Sequence, residues 1–180
     1  MVEDLRLGKA MKLGKAQNNS YSMSAPALNI LFVCHGNICR SPMAEAVFVH
    51  TIKTRGLEEC FGTIDSAGTS GYHKGNDPDS RSVETCRSHG IPVEHSARKV
   101  REEDFHHFDY ILCMDTSNLD TLKERRPQTS KAVVQLFGEF DPQGERIIED
   151  PYYGGLQGFE HNFQQVSRAS EGLLHHLGLV

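Results

Sequence analysis

The chain has 180 residues, 38% hydrophobic and 24% charged, with a formal net charge of −5. These values suit one soluble domain with a sizeable core. They speak against a general nucleic-acid footprint, and no apolar run approaches the ~18 residues that a membrane span needs.

Residues 1–27 mix Lys, Gly, Asn and Ser without a long apolar core. Arg6, Lys9, Lys12 and Lys15 recur at near-helical spacing, as in a transit peptide, but Glu3, Asp4 and the scarcity of arginine argue against one. The segment reads as a disordered extension, ahead of a domain over 28–180. Residues 29–34 (NILFVC) form a short continuous apolar run, consistent with a buried parallel strand. A Gly-containing loop follows. Then comes a helix with Ser41 as N-cap, Pro42 in the first turn and Gly56 as its stop. Residues 62–67 suit a second strand and 79–89 a helix ending at Gly90. A third strand is expected over 109–114, a helix over 116–125 and a fourth strand over 132–137. A Pro/Gly-rich segment, 138–158, leads to a last helix over about 159–177, with Phe159, Phe163, Val166, Leu173, Leu174 and Leu177 on one stripe. This alternation predicts an α/β fold: a single three-layer α/β/α domain on a four-stranded parallel sheet. In such folds the ligand crevice lies at the carboxyl ends of the strands.

Cys34 closes the first strand, where that crevice should be. With Cys39 it could form a disulfide, part of a metal clip, or a nucleophile in an anion cradle. Five cysteines, an odd number with no secretory signal ahead of them, favour free thiols in a reducing, cytoplasmic compartment. A zinc site would want two more ligands at matching spacing, and His50, Cys60 and Cys86 offer no such pattern. His106-His107 and His175-His176 read as surface histidines, because adjacent helical residues face different ways. Cys60, Cys86 and Cys113 read as buried small residues. Neither a metal nor a cofactor is expected.

The loop Cys34-His35-Gly36-Asn37-Ile38-Cys39-Arg40 feeds a helix N-terminus, and its N–H groups can turn inward as an anion nest. Gly36 permits a φ that other residues resist, and Asn37 tolerates the left-handed region. Arg40 adds a planar fork suited to two phosphate oxygens. A thiol in such a nest ionises readily and attacks phosphorus. The same donors stabilise the charge that spreads over the equatorial oxygens. The leaving group needs a proton, and Asp150 in IIEDPYYGG can supply it from another loop, then activate water.

Cys34-x5-Arg40-Ser41-Pro42, with Gly36-Asn37 inside, resembles the low-molecular-weight protein tyrosine phosphatase family, and so does Asp150-Pro151-Tyr152-Tyr153-Gly154. The likeness runs from Ile30 to the final helix and includes DYILCMDTSNL and HGIPVEHSARKV. It implies hydrolysis of phosphotyrosine in proteins, and of small aryl phosphates, through a phosphocysteine. Cys34 would be the nucleophile, Arg40 the phosphate clamp and Asp150 the acid, then the base. The resemblance further implies that Asn37, Ser41, Ser66 and His95 shape the loop, with Ser41 supporting the thiolate. Tyr72, Tyr152 and Tyr153 match the aromatic walls of a deep pocket that phosphotyrosine reaches better than phosphoserine. Tyr152 and Tyr153 also match positions that are phosphorylated in some members. Phosphate, vanadate and similar oxyanions would inhibit, and the chain would be a monomer or weak dimer. Cys39 would trap an oxidised Cys34 as a reversible disulfide.

His35 departs from the family, which usually carries Leu after the nucleophile, packed on the substrate ring. Arsenate reductases share the loop but need two further cysteines downstream, and none follows Cys113. Relatives acting on phosphoarginine carry Thr where Ile38 stands. A phosphate-binding module or a phosphocysteine carrier would be expected to lack Asp150.

Overall fold

The computed structural model describes residues 26–180, so the reading of 1–27 concerns, apart from Pro26 and Ala27, residues outside the description. Four strands, β1 (Leu28–Cys34), β2 (Phe61–Gly68), β3 (Tyr110–Cys113) and β4 (Val133–Leu136), form one sheet in the order β2-β1-β3-β4. Every pairing is parallel, and Ile30 lies between Ile64 and Tyr110. Such a sheet is buried on both faces. The helices are α1 (Arg40–Arg55), α2 (Ser80–Ser88), α3 (Asp104–His107), α4 (Thr116–Arg125) and α5 (Leu156–His176).

Alternation along β1 divides the core. Ile30 and Phe32 face a cluster shared with Phe48 of α1 and with Phe159, Val166, Leu173 and Leu174 of α5. Leu31 and Val33 face the other way, onto Phe105 of α3 and Leu122 of α4. Phe32 meets Phe137 at 4.9 Å and Phe48 at 5.6 Å between centroids, both edge to face. Burying each such side chain contributes about 1.5–3 kcal/mol. The expected three-layer α/β/α domain with its four parallel strands is therefore what forms.

Several boundaries differ from expectation for local reasons. Ser41 is not the N-cap of α1. Cys39 holds that place without a side-chain cap, because the Ser41 hydroxyl turns inward to the Cys34 sulfur instead. Gly56 does end α1, at φ 66°. Asp79 precedes α2 as its cap, accepting from the Arg81 N–H. The Pro/Gly-rich segment 138–158 contains most of a 3-10 turn, Phe137–Phe140, and the first residues of α5, which begins earlier than expected, after extended Gly155. The four-residue α3 is too short to show a helical period. Cys86 and Cys113 are buried as expected, but Cys60 is only partly so, since it ends a 3-10 turn at the edge of β2. Leu177, at the end of the α5 stripe, is half-buried. No described helix is long and apolar enough to cross a membrane.

Two contacts fasten α5 to the turn after β4. Asp141 is buried and accepts from Arg168 Nε at 2.9 Å, Arg168 Nη2 at 2.7 Å and the Gln143 N–H at 2.9 Å. Burial alone would push this carboxyl up, but Arg168 and the Gln143 amide outweigh it and hold the group below the usual carboxylate range. A lowered native pKa stabilises the fold above the unfolded pKa, and that contribution disappears as pH falls through the native value. Asp141→Asn should therefore reduce stability at pH 7 by up to about 3 kcal/mol and flatten its decline below roughly pH 4. Urea denaturation at several pH values reads both effects. The second contact is steric: a Cβ at Gly172 would overlap the Phe140 carbonyl. Gly172→Ala gains ~1 kcal/mol of helix propensity, yet should lose about 1–3 kcal/mol net as the turn is forced away. A gain in unfolding free energy would contradict this packing.

Candidate active site

The loop between β1 and α1 is held open from outside. Its carbonyls are occupied: Cys34 O accepts from the Thr69 N–H, His35 O from Ser70, and Ile38 O from Asp79, at 2.7–2.9 Å. Cys39 O accepts from the Ser82 hydroxyl at 2.9 Å. With carbonyls pulled outward, amide N–H groups can face the interior, as in an anion nest. The Asn37 N–H donates to Cys34 Sγ at 3.3 Å.

Asn37 adopts φ 57°, the left-handed conformation expected of it, and among the described residues no other non-glycine has a positive φ. Gly36 does not take a positive φ, so the expectation that it supplies a φ other residues resist is corrected. Its constraint is space, since a Cβ would lie 3.0 Å from His73 Cδ2. The Asn37 amide is saturated. Its Nδ2 donates to Ser41 Oγ at 2.9 Å and Ser66 Oγ at 3.0 Å. Its Oδ1 faces His95 Nε2 at 2.8 Å and accepts from the Arg98 N–H at 2.8 Å. Ser41 Oγ lies 3.1 Å from Cys34 Sγ. Ser66 donates on to Glu45 at 2.7 Å, and Glu45 also faces His95 Nδ1 at 3.2 Å. Asn37, Ser41, Ser66 and His95 thus meet in one network behind the sulfur, with Glu45 and Arg98 as members that the sequence did not announce.

Arg40 is almost wholly buried. Its Nη1 donates to Asp115 at 2.6 Å and to the Ile148 carbonyl at 3.0 Å, while Nη2 donates to Asp150 at 2.9 Å. Burial works against its charge, but negative charge at Cys34 and the two carboxylates outweigh that and raise its pKa. Asp115 was missed in the sequence. It follows the end of β3 and caps α4 by accepting from the Asn118 N–H, and its position at a strand's carboxyl end was the available signal.

A cavity of about 390 Å³ opens over Cys34. It is lined by His35, Gly36, Ile38, Cys39 and Arg40 from the loop, by Tyr72 and His73, and by Asp150, Tyr152 and Tyr153. Tyr72 and Tyr153 are 87% and 96% exposed and form its outer mouth, whereas Tyr152 is 37% exposed. His35 is exposed at the rim. His73 was not foreseen, and nothing beyond adjacency to Tyr72 marked it. Cys34 and Cys39 are free thiols. Burial first, then the charges of Asp79, Cys34 and Asp150, push the Cys39 thiol well above its ordinary range. The histidine pairs 106–107 and 175–176 lie exposed on helices away from this cavity.

This arrangement has close counterparts. The family model described as low molecular weight phosphotyrosine protein phosphatase matches residues 29–179. The human protein of that name is 50% identical over 148 residues, covering 81% of this chain and 93% of the relative. A protein tyrosine phosphatase structure from Entamoeba histolytica superposes with a TM-score of 0.81 at 39% identity, covering 84% of this chain and 97% of that one. DARP, drosophila arginine phosphatase, superposes with a TM-score of 0.78 at 35% identity, covering 83% and 98%. The strand-end thiol, its arginine and the distant aspartate therefore sit in a shared architecture, and the chain belongs to the low molecular weight phosphotyrosine protein phosphatase family.

Proposed function

We propose that this protein hydrolyses phosphotyrosine in proteins, and small aryl phosphates, through a phosphocysteine intermediate. The observation that carries the reading is the convergence of Cys34 Sγ, the buried Arg40 guanidinium and Asp150 on one cavity. A phosphate monoester enters with its oxygens toward the loop amides and takes the Arg40 Nη2 contact that Asp150 holds in the free protein. Cys34 Sγ attacks phosphorus as the bond to the phenolic oxygen breaks, and Asp150 donates a proton to that oxygen. Water then attacks the phosphocysteine, giving its proton to the Asp150 carboxylate, and Cys34 leaves as thiolate with inorganic phosphate released. Arg40 and the amides stabilise the equatorial oxygens in both steps. The sequence uses no cofactor.

Tyrosine-phosphorylated proteins are the substrate class supported by Tyr72, Tyr152 and Tyr153 around the cavity and by the names of the relatives. A cytoplasmic location fits the five free thiols, and a monomer or weak dimer follows from the family likeness alone. The reversible Cys34–Cys39 disulfide belongs to the same reading. A phosphoarginine substrate is the second possibility, favoured by the likeness to the drosophila arginine phosphatase and opposed by Ile38 in the loop.

Hydrolysis of p-nitrophenyl phosphate at acid pH should vanish in Cys34→Ser. Asp150→Ala should slow release of a phenol by roughly 10²–10⁴-fold, and vanadate should inhibit competitively. Wild type no faster than Cys34→Ser would sink the proposal. Turnover of a phosphotyrosine peptide should exceed that of a phosphoarginine peptide, and the reverse ranking would transfer the assignment to the second substrate.

A further inference from the structure

The loop bearing Asp150 is fastened at a second point, by a residue outside the chemistry above. Arg81, in the first turn of α2, donates from Nη1 to the Tyr152 carbonyl at 3.0 Å. Its guanidinium also lies 5.4 Å from the Tyr152 ring centroid and 4.6 Å from that of Phe159, a cation–π arrangement. On its other side, Arg81 Nε and Nη2 donate to the two oxygens of Asp79 at 2.9 and 2.8 Å. This bidentate fork fixes the plane of the guanidinium. Asp79 in turn donates its own N–H to Ile38 O, in the nucleophile loop, at 2.7 Å. A continuous chain of contacts thus runs from the loop around Cys34, through Asp79 and Arg81, to Tyr152.

Tyr152 matters because its N–H donates to Asp150 Oδ1 at 3.1 Å. Residue 152 therefore helps set the direction of the Asp150 carboxyl. Pro151 is buried, but the Asp150 side chain is 45% exposed and Tyr153 stands almost entirely in solvent, so packing alone does not fix the direction of the carboxyl. When a phosphate oxygen takes Arg40 Nη2, the ion pair that holds Asp150 in the free protein is lost. The Arg81 contact to Tyr152 uses neither Arg40 nor the Asp150 carboxyl, so that exchange does not compete for it.

We propose that Asp79 and Arg81 form a brace that registers the acid loop against the nucleophile loop, making Arg81 a positioning residue for proton transfer from Asp150 to the leaving group. This rests on the phosphatase reading. The Asp79 carboxyl is accordingly held below its usual range, first by the Arg81 side chain.

The test is kcat/KM over aryl phosphates graded from 2,4-dinitrophenyl phosphate to phenyl phosphate, for wild type, Arg81→Ala, Asp79→Asn, Asp150→Ala and the Arg81→Ala/Asp150→Ala double variant. A misplaced acid harms poor leaving groups selectively. Arg81→Ala should lose about 10–10²-fold on phenyl phosphate but less than about 3-fold on the dinitrophenyl ester. On the Asp150→Ala background it should cost less than about 2-fold, because the two residues act through one step. Inhibition by vanadate should be unchanged. Asp79→Asn, which keeps a good N-cap for α2, should reproduce the pattern and carries the test if Arg81→Ala does not fold. A loss equal for all leaving groups, or a full further loss in the double variant, overturns the brace while leaving the phosphatase reading standing. A wild type that hydrolyses none of these esters overturns that reading, and the brace with it.

Discussion

The left-handed backbone at Asn37 is the constraint on which the rest of the site depends. A loop that returns its amides toward its own first residue must reverse direction within a few residues, and one position has to take a positive φ. Glycine would meet that need at the cost of a floppier loop. Asparagine meets it with a short side chain whose four hydrogen-bonding contacts are all used, by Ser41, Ser66, His95 and the Arg98 N–H. The strained residue is thus over-determined by its surroundings, as such conformations require. The same amide that fixes the backbone orients the Ser41 hydroxyl on the Cys34 sulfur. Geometry and electrostatics at the thiol are therefore two results of one anchored side chain.

Arg40 raises a different problem. A guanidinium with 2% exposure carries a large desolvation penalty. Two carboxylates and a carbonyl offset it, and they are unequal. Asp115 shares the interior with Arg40 and caps α4, so it is a fixed part of the fold. Asp150 is 45% exposed on a separate loop, so it is the partner able to leave. One buried cation is thereby divided between a permanent anion and a replaceable one.

Fold and site were legible to different degrees. β1, β3, β4 and α5 showed because apolar runs and stripes mark burial directly, and α1 and α2 because glycines mark their ends. Ser41 misled because its residue type suits both a cap and a buried hydrogen bond, and only the sulfur beside it decides between them. Cys34, Arg40 and Asp150 stood in recognisable local patterns. Asp115 and Arg81 did not, because each acts through a partner far away in the chain, and the local sequence around Asp115 and Asp79 is fully accounted for as helix caps; His73 did not, because only the folding of its loop brings it to the cavity. Asn37 was legible as a left-handed residue, but three of its four partners come from two distant segments, β2 and residues 95–98. What the sequence withheld was pairing across the carboxyl edge of the sheet.

The Arg40–Asp150 ion pair bears on how the cycle closes. When product leaves, Arg40 keeps Asp115 on Nη1, but the Nη2 that held the phosphate would be left without an acceptor in a buried site. Asp150, tethered two residues from Ile148, itself hydrogen-bonded to the same guanidinium, takes the vacated nitrogen at high effective concentration once it has passed to solvent the proton it accepted from water. Product leaves by exchange of one acceptor for another on Nη2, so the pocket passes from occupied to free without leaving that buried nitrogen unpaired.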